Sequence, residues 1–333
     1  MGDNTGIGWT DATWNPLRGC SRVSEGCRNC YAERTAIRQV RTGYAGLVKS
    51  TPAGPRWTGA VRFVPEVLAA PFSWKKPRRI FVNSMSDLFH EGVKDGWVMR
   101  ILNTMAKTPH HTYQILTKRP ERMRSFFARW ADLSGEDLEF KNAHGPEEVR
   151  KAHPSPRGQL FAAMLDAMGT PPEGFGYPLF DWMEGMILWP AWFSNVWLGV
   201  SVEDQAAADE RIPLLLQTPA AVRFLSVEPL LWPVDLSPWT RPRWTDTGEC
   251  APWGQNIQEP RRIDWVIVGG ESGPGHRPCK VEWIESVVAQ CRAAGVPVWV
   301  KQDSGPRPGA QGRIPDDLWV HEFPASGGAG AGA

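Results

Sequence analysis

The sequence has no long apolar run and no strong net charge. No stretch approaches the roughly 18 consecutive apolar residues that a membrane-spanning helix needs. No apolar segment with basic flanks opens the chain, so we expect no secretory signal and a cytoplasmic protein. The formal charge is +1, which gives no global reason to expect a nucleic-acid partner, although it is compatible with a local basic groove.

A fourth cysteine is also missing beside the three that cluster near the N-terminus. Cys20, Cys27 and Cys30 have the spacing C-x6-C-x2-C, and no histidine lies at the paired spacing of a zinc finger. Thiols stay reduced in the cytosol, where clustered cysteines more often bind metal or react than form disulfides. Three interpretations stay open: a [4Fe–4S] cluster with one open iron, a zinc site closed by a distant ligand, and unligated thiols. An open iron is the arrangement that binds S-adenosylmethionine and cleaves it reductively to a radical.

Short apolar runs alternate with helical patterns along most of the chain. Such runs are typical of strands in a parallel sheet that is covered on both faces. The segment "GIGWTDATWN" adds a seventh strand to six clear ones, and the alternation predicts an α/β protein with a full or partial barrel of βα units. The six strands are predicted over residues 80–82, 112–116, 196–200, 222–225, 265–268 and 296–300, and the helices over 31–41, 96–105, 205–216 and 281–294.

Polar residues follow each of these six strands. Active sites of βα barrels and of open parallel sheets lie at the C-terminal ends of the strands, so we expect these residues to share one site. Lys118, Glu228 and Lys301 are the predicted catalytic residues. A simple ion pair at the barrel mouth is the alternative interpretation of Glu228 and Lys301.

Two stretches interrupt the alternation. Residues 131–190 separate two strands by far more than a crossover helix needs, which predicts an inserted helical segment that acts as a lid. A smaller insertion, rich in Pro and Trp, covers residues 233–262. The prediction is therefore a single domain over residues 1–324 with two insertions. The low-complexity tail, residues 325–333, is predicted to be disordered.

Six segments of the sequence carry a family resemblance: "TGIGWTDATWNPLRGCSRVSEGCRNCYAE", "IFVNSMSDLFHE", "QILTKRPERM", "NVWLGVSVEDQ", "RFLSVEPLL" and "DWVIVGGESGPGHRP". They resemble a phage-associated family with a three-cysteine motif, a domain of unknown function that is grouped with radical S-adenosylmethionine enzymes. The resemblance covers nearly the whole chain outside the two insertions. It implies a partial (βα)6-type TIM-like barrel in which the three cysteines hold a [4Fe–4S] cluster and S-adenosylmethionine is the cofactor. The usual radical spacing is C-x3-C-x2-C with an aromatic residue before the last cysteine, whereas here the first gap is six residues and Tyr31 follows Cys30.

The chemistry of the implied cofactor suggests binding roles for the polar strand ends. Its methionine amine needs polar neighbours, its ribose hydroxyls suit a carboxylate or a hydroxyl, and its adenine needs a close backbone approach. Lys118 and Arg119 can neutralise a carboxylate or a phosphate. The predicted cofactor-binding residues are Asn83, Ser84 and Asp87 for the amine, Ser201 and Glu203 for the ribose, and Gly269, Gly270 and Glu271 for the adenine.

The resemblance and the basic, aromatic segment "LTKRPERMRSFFARW" favour a nucleic acid or nucleotide as substrate. The leading hypothesis is a radical enzyme that modifies or repairs a base, in the host cytoplasm if the gene is phage-encoded, with a flavodoxin or ferredoxin as electron donor. The alternatives are a zinc-dependent hydrolase or lyase on the same barrel and a non-catalytic, metal-stabilised nucleic-acid-binding protein. For the basic segment itself, the alternative is an amphipathic helix whose aromatic residues face the core.

Overall fold

The computed structural model of this protein describes residues 5–131, 194–240 and 262–325. Its strands, in chain order, are β1 (Ala12–Trp14), β2 (Leu17–Arg18), β3 (Val48–Lys49), β4 (Arg56–Trp57), β5 (Arg62–Phe63), β6 (Arg79–Val82), β7 (Thr112–Thr117), β8 (Val196–Ser201), β9 (Val222–Val227), β10 (Trp265–Gly269) and β11 (Val298–Gln302). Its helices are α1 (Tyr31–Arg38), α2 (Ala70–Ser73), α3 (Asp95–Ala106), α4 (Pro120–Ala131), α5 (Gln205–Leu216), α6 (Ser237–Thr240) and α7 (Val281–Ala294).

Seven of these strands form one parallel sheet, which is curled into a half barrel. Their order is β1–β6–β7–β8–β9–β10–β11, so neighbours in the sheet follow one another along the chain. The curl brings distant strands together, because Trp9 packs 4.7 Å from Phe81 on β6 and 6.3 Å from Trp265 on β10. Two antiparallel ribbons, β2 with β5 and β3 with β4, lie outside this sheet. The predicted α/β architecture with a parallel sheet is confirmed.

The two faces of the sheet bury different side chains. On the outer face, aliphatic residues such as Ile115 and Val268 pack against α3, α4, α5 and α7 in the main core. On the inner face the buried residues include Trp197, Phe224 and Trp265, whose rings are in contact. Because both faces are covered, the strands are apolar along almost their whole length, as the sequence indicated. These aromatic rings fill the inner face of the sheet below the polar residues at the strand ends.

Several element boundaries differ from the prediction by one to three residues, and two of these differences have a clear local cause. The first helix ends at Arg38 rather than at residue 41, and a 3-10 turn over Val40–Thr42 follows it. The β-branched residues of that turn disfavour a helix, and Gly43 adopts a φ of 129°. The last strand begins at Val298 rather than at residue 296, because Pro297 has no N–H to donate to the ladder.

The predicted insertions lie almost entirely outside the described residues. Of residues 131–190 only the first is described, and of residues 233–262 the described part contains α6. Of the tail, residues 325–333, only the first residue is described. None of the helices in the described ranges is long and apolar enough to cross a membrane.

The basic, aromatic segment after β7 forms α4 and packs as an amphipathic helix. Phe126 and Phe127 are buried in the main core, so they present no ring on which a base could stack. Arg122 and Arg129 both bind Asp95 at the start of α3, at 3.3 and 2.7 Å. The core-facing interpretation is therefore correct for Phe126 and Phe127, whereas nucleic-acid binding by the cations of this segment stays a prediction.

Gly199 on β8 pairs directly with Phe224 on β9. A Cβ at Gly199 would lie 2.6 Å from the phenyl ring, which is itself fully buried. Gly199→Ala is therefore expected to lower the free energy of unfolding by about 1–3 kcal/mol through overpacking, as measured by urea denaturation. Gly305→Ala is the matched control, since nothing lies within 4 Å of its Cβ position. An equal loss in both variants would contradict this explanation.

Candidate functional site

Strand register brings polar strand ends together on the inner face of the sheet. Ser201 on β8 pairs with Ser226 on β9, and both are buried. Lys118 directly follows Thr117, which forms the last ladder pair of β7 with Val200 on β8. Glu228 directly follows the end of β9 at Val227. Predicted residues thus lie at the C-terminal ends of three neighbouring strands, while their chemical roles stay predictions.

Glu228 and Lys301 form an ion pair that spans β10. Lys301 Nζ donates to both carboxylate oxygens, at 2.6 and 2.7 Å, and Gln302 Nε2 donates to Oε1 at 3.1 Å. The strand between them carries Gly269 at this level, which has no side chain to separate the pair. The Lys301 and Glu228 side chains are 20 and 18 % exposed, so a ligand at the mouth of the half barrel can reach both. The ion-pair interpretation is correct for their contact, and a catalytic role stays a prediction.

Arg119, after β7, fastens the first part of the cysteine loop (residues 20–30). Its guanidinium donates to Ser21 Oγ at 2.7 Å and to Ser21 O at 3.2 Å, and it lies 3.9 Å from Cys20 Sγ. Asp87, after β6, binds the same guanidinium at 3.0 Å. Three further protein donors contact the Asp87 carboxylate. Asp87, predicted to bind the cofactor amine, is thus engaged in orienting Arg119.

Glu271, after β10, fastens the second part of the cysteine loop. Asn29, between the last two cysteines, donates to Glu271 Oε2 and to Gly275 O, both at 2.8 Å. Arg277 binds Glu271 at 2.6 Å and Glu25 of the loop at 3.4 Å. Burial raises the pKa of Glu271, but its hydrogen bonds with Arg277 and Asn29 outweigh burial and leave the pKa lowered. Glu271, predicted to lie near an adenine, is therefore a charged anchor for the loop.

Glu203, after β8, supports the middle of the cysteine loop. It lies against Gly26, where a Cβ would come 3.0 Å from the carboxylate carbon. Arg211 on α5 binds Glu203 at 2.9 Å, and both side chains are buried. Burial raises the pKa of Glu203, but the positive charges of Lys118 and Arg211 outweigh burial and leave the pKa lowered. The predicted ribose contact would therefore involve a carboxylate that already binds Arg211.

The three cysteines of the loop are free thiols, each half-buried. Burial raises the pKa of Cys20 to about 12 and also raises that of Cys30. A negative charge on Cys30 or Cys27 would raise the pKa of Cys20 further. Metal binding would have to displace the thiol protons. Across residues 5–131, 194–240 and 262–325, no group of three His, Cys, Asp or Glu side chains is arranged to hold a metal ion.

Asn83 and Ser84 follow β6 beneath the start of the cysteine loop. Asn83 adopts a φ of 59°, and its Oδ1 accepts from Leu17 N at 3.2 Å. The buried Asn83 Nδ2 has no acceptor among the described residues. Ser84 Oγ donates to Asn15 Oδ1 at 3.2 Å, and Ser84 O accepts from the Tyr31 hydroxyl at 2.5 Å. Asn83 therefore keeps a donor that a ligand oxygen could satisfy, whereas Ser84 already has protein partners.

Gly269 and Gly270 allow close packing between the ends of β10 and β11. A Cβ at Gly269 would come 3.1 Å from Gln302 O, and one at Gly270 would collide with the backbone of Ser304. The space beside these glycines is therefore filled by the chain itself. Their predicted contact with an adenine stays a prediction.

One comparison with known proteins places this sheet and its cysteine loop in a family. Residues 4–316 match the profile of the family described as Protein of unknown function (DUF5131). The chain belongs to the DUF5131 family. Comparison with curated proteins finds no match, and comparison with solved structures finds none either. The family description assigns no chemistry, so the activity of this DUF5131 protein has to be argued from the site.

Several side chains at the site of this DUF5131 protein were missed by sequence reasoning. Asn15 follows β1 as the other polar residues follow their strands, so the same rule could have found it. Asn29 and Glu271 are 242 residues apart in the chain, and no local pattern indicates that they meet. Arg211 carried a weak signal, a charged residue among the apolar positions of a predicted helix.

Proposed function

We propose that this protein is a radical S-adenosylmethionine-type enzyme that modifies or repairs a base in a nucleic acid or nucleotide. Cys20, Cys27 and Cys30 would hold a [4Fe–4S] cluster, whose open iron binds S-adenosylmethionine and supports its reductive cleavage to a radical. The observation that carries this proposal is the way Arg119 and Glu271 fasten the three-cysteine loop across the polar end of the parallel half barrel.

The side chains around the thiols fit such a group. Each thiolate of a cluster binds a different iron, so the three sulfurs need to share a neighbourhood rather than surround one point. The Arg119 guanidinium, which is ion-paired with Asp87, lies 3.9 Å from Cys20 Sγ and can donate a hydrogen bond to a thiolate there. Asn83 Nδ2 supplies a buried donor that lacks a described acceptor and suits a carboxylate oxygen of the methionine moiety. Since reductive cleavage needs an external electron, a flavodoxin or ferredoxin is the expected partner.

We infer the finer fold, a partial (βα)6-type TIM-like barrel, from the same arrangement. β6 to β11 are consecutive parallel strands, and α3, α5 and α7 connect alternate pairs of them and pack on the outer face. In such barrels the catalytic residues stand at the C-terminal ends of the strands, where Lys118, Glu228 and Lys301 lie. The two ammonium groups are suited to bind anionic groups of the substrate, and Glu228 holds Lys301 in position.

Anaerobic reconstitution with iron and sulfide tests the proposal. We expect the reduced protein to give the electron paramagnetic resonance signal of a [4Fe–4S] cluster, and we expect S-adenosylmethionine to shift that signal. Cys27→Ala should abolish the signal because a ligand is lost. The matched control is Cys291→Ala, which removes a buried thiol on α7, far along the chain from the cysteine loop. This variant should keep the cluster signal.

Two results would contradict the proposal. Stoichiometric zinc without a cluster, in protein purified without oxygen, would favour a zinc-dependent hydrolase or lyase. A cluster whose signal does not respond to S-adenosylmethionine would favour a metal-stabilised binding protein.

A further inference from the structure

Positive charge is concentrated in the segment that carries the cysteine loop. From Arg18 to Arg62 the chain holds nine Arg or Lys residues and two Glu, a net charge of +7, whereas the whole chain carries +1. Arg38, Arg41, Lys49 and Arg62 in this segment are exposed. The near-neutral total therefore conceals a strongly basic region.

The two antiparallel ribbons in this segment place cations directly opposite each other. Arg18 on β2 pairs with Arg62 on β5, and Lys49 on β3 pairs with Arg56 on β4. Like charges at directly opposite positions destabilise a ribbon. The repulsion within each pair costs stability, and an anionic ligand would relieve it.

Backbone carbonyls, rather than carboxylates, hold the Arg18 and Arg62 side chains. Arg18 Nη1 donates to Thr42 O at 3.3 Å, and its guanidinium lies 5.4 Å from the Tyr44 ring centre. Arg62 donates to Gly43 O at 3.3 Å and to Ala45 O at 2.9 Å. Both guanidinium groups are thus positioned on one turn, and no carboxylate of the described residues lies within 4.0 Å of either.

Few acidic groups neutralise the remaining cations. Glu33 binds Arg22 and lies 4.0 Å from Arg56, and Glu25 lies 4.0 Å from Arg28. For the other six cations, no carboxylate within the described ranges comes within 4.0 Å. These six are Arg18, Arg34, Arg38, Arg41, Lys49 and Arg62.

This basic surface lies beside the candidate site. Tyr44, Leu47 and Trp57 form the small apolar cluster beneath it, and Cys20 and Cys30 pack against the same cluster. A polyanion that follows the exposed cations would therefore pass next to the cysteine loop.

We propose that the basic face formed by Arg18, Arg38, Arg41, Lys49 and Arg62 binds the phosphate backbone of a nucleic-acid strand. A phosphate backbone fits because its charges repeat along the chain and can meet cations spread over two ribbons and a helix end. This inference rests on the proposed function for its biological meaning. It makes that function more specific, because it names a nucleic-acid polymer rather than a free nucleotide as the substrate class. Binding itself requires no cluster and can be measured separately.

The test uses fluorescence anisotropy of a labelled single-stranded DNA 20-mer at several salt concentrations. Arg41→Gln/Lys49→Gln should weaken binding roughly 50-fold at 50 mM salt and reduce the salt slope by about 1.4, because each lost phosphate contact on a single strand contributes about 0.7. Lys75→Gln/Lys76→Gln removes the same charge from exposed lysines before β6, at the opposite end of the sheet, and should change neither value. An RNA 20-mer in parallel identifies which polymer binds better.

Three outcomes would overturn the inference: no binding to either polymer at 50 mM salt, equal weakening in both double variants, or displacement of the DNA by polyglutamate at an equal concentration of charge. Protein prepared without iron should bind DNA as the reconstituted protein does. DNA binding by a protein that forms no cluster would therefore leave this inference intact while the proposed function fails. A cluster whose signal shifts with S-adenosylmethionine, in a protein that binds neither DNA nor RNA, would overturn this inference and leave the radical-enzyme chemistry of the proposed function intact.

Discussion

Arg211→Met is expected to lower the free energy of unfolding by about 3–5 kcal/mol, because it removes the cation that is hydrogen-bonded to the buried Glu203 carboxylate. Arg211 and Glu203 are 4 and 1 % exposed, and their charged groups meet at 2.9 Å. Arg211 also donates to Ser201 O at 2.9 Å, so the variant leaves a strand-end carbonyl unsatisfied as well. Urea denaturation, with the midpoint and slope fitted together, measures the loss.

The double variant Glu203→Gln/Arg211→Met separates the lost pair from the lost volume. Removing both charges avoids an uncompensated carboxylate, so the double variant should recover a large part of the stability that Arg211→Met loses. Arg124→Met, at an exposed guanidinium bound to Gln217, is the surface control and should stay within about 0.5 kcal/mol of the unaltered protein. A double variant no more stable than Arg211→Met would contradict an electrostatic origin.

The strands could be predicted from the sequence because each is a short apolar run that ends in polar residues. β8 and β10 were each predicted to within one residue of their observed ends. The inner face could not be predicted, since strands buried on both faces show no alternation that marks one side. Only the register shows that Gly199 faces Phe224 and that Gly269 leaves room for an ion pair between β9 and β11.

The contact between Glu228 and Lys301 could also be predicted, but most contacts around the cysteine loop could not. The rule that parallel strands converge at their C-terminal ends predicts that Lys118, Glu228 and Lys301 lie at one edge of the sheet. The same rule could not show that Glu271 binds Asn29 in the cysteine loop, because that contact depends on how a loop near the N-terminus crosses the finished sheet. Side chains predicted to touch a cofactor therefore proved to hold the loop that would carry the metal.

Arg119→Met is expected to lower the free energy of unfolding by about 3 kcal/mol and to loosen the cysteine loop. The variant leaves Asp87, 6 % exposed, without its cation and removes both hydrogen bonds to Ser21. Asp87 keeps three other donors, which limits the loss of stability. The loop keeps none of its Arg119 contacts. The reconstituted variant should therefore retain several-fold less iron than the unaltered protein in the presence of a chelator. Urea denaturation of the same samples measures the loss of stability.

Glu91→Gln tests whether the buried Asp87–Arg119 pair, rather than any charge near Arg119, holds the cysteine loop in place. Glu91 binds the same guanidinium at 2.8 Å, but its side chain is 64 % exposed. Water already solvates that carboxylate, so Glu91→Gln should change the free energy of unfolding by less than about 1 kcal/mol. Iron retention should stay close to that of the unaltered protein, because Asp87 still orients Arg119 toward Ser21. If Glu91→Gln loses as much iron as Arg119→Met, the buried Asp87–Arg119 pair is not what holds the cysteine loop.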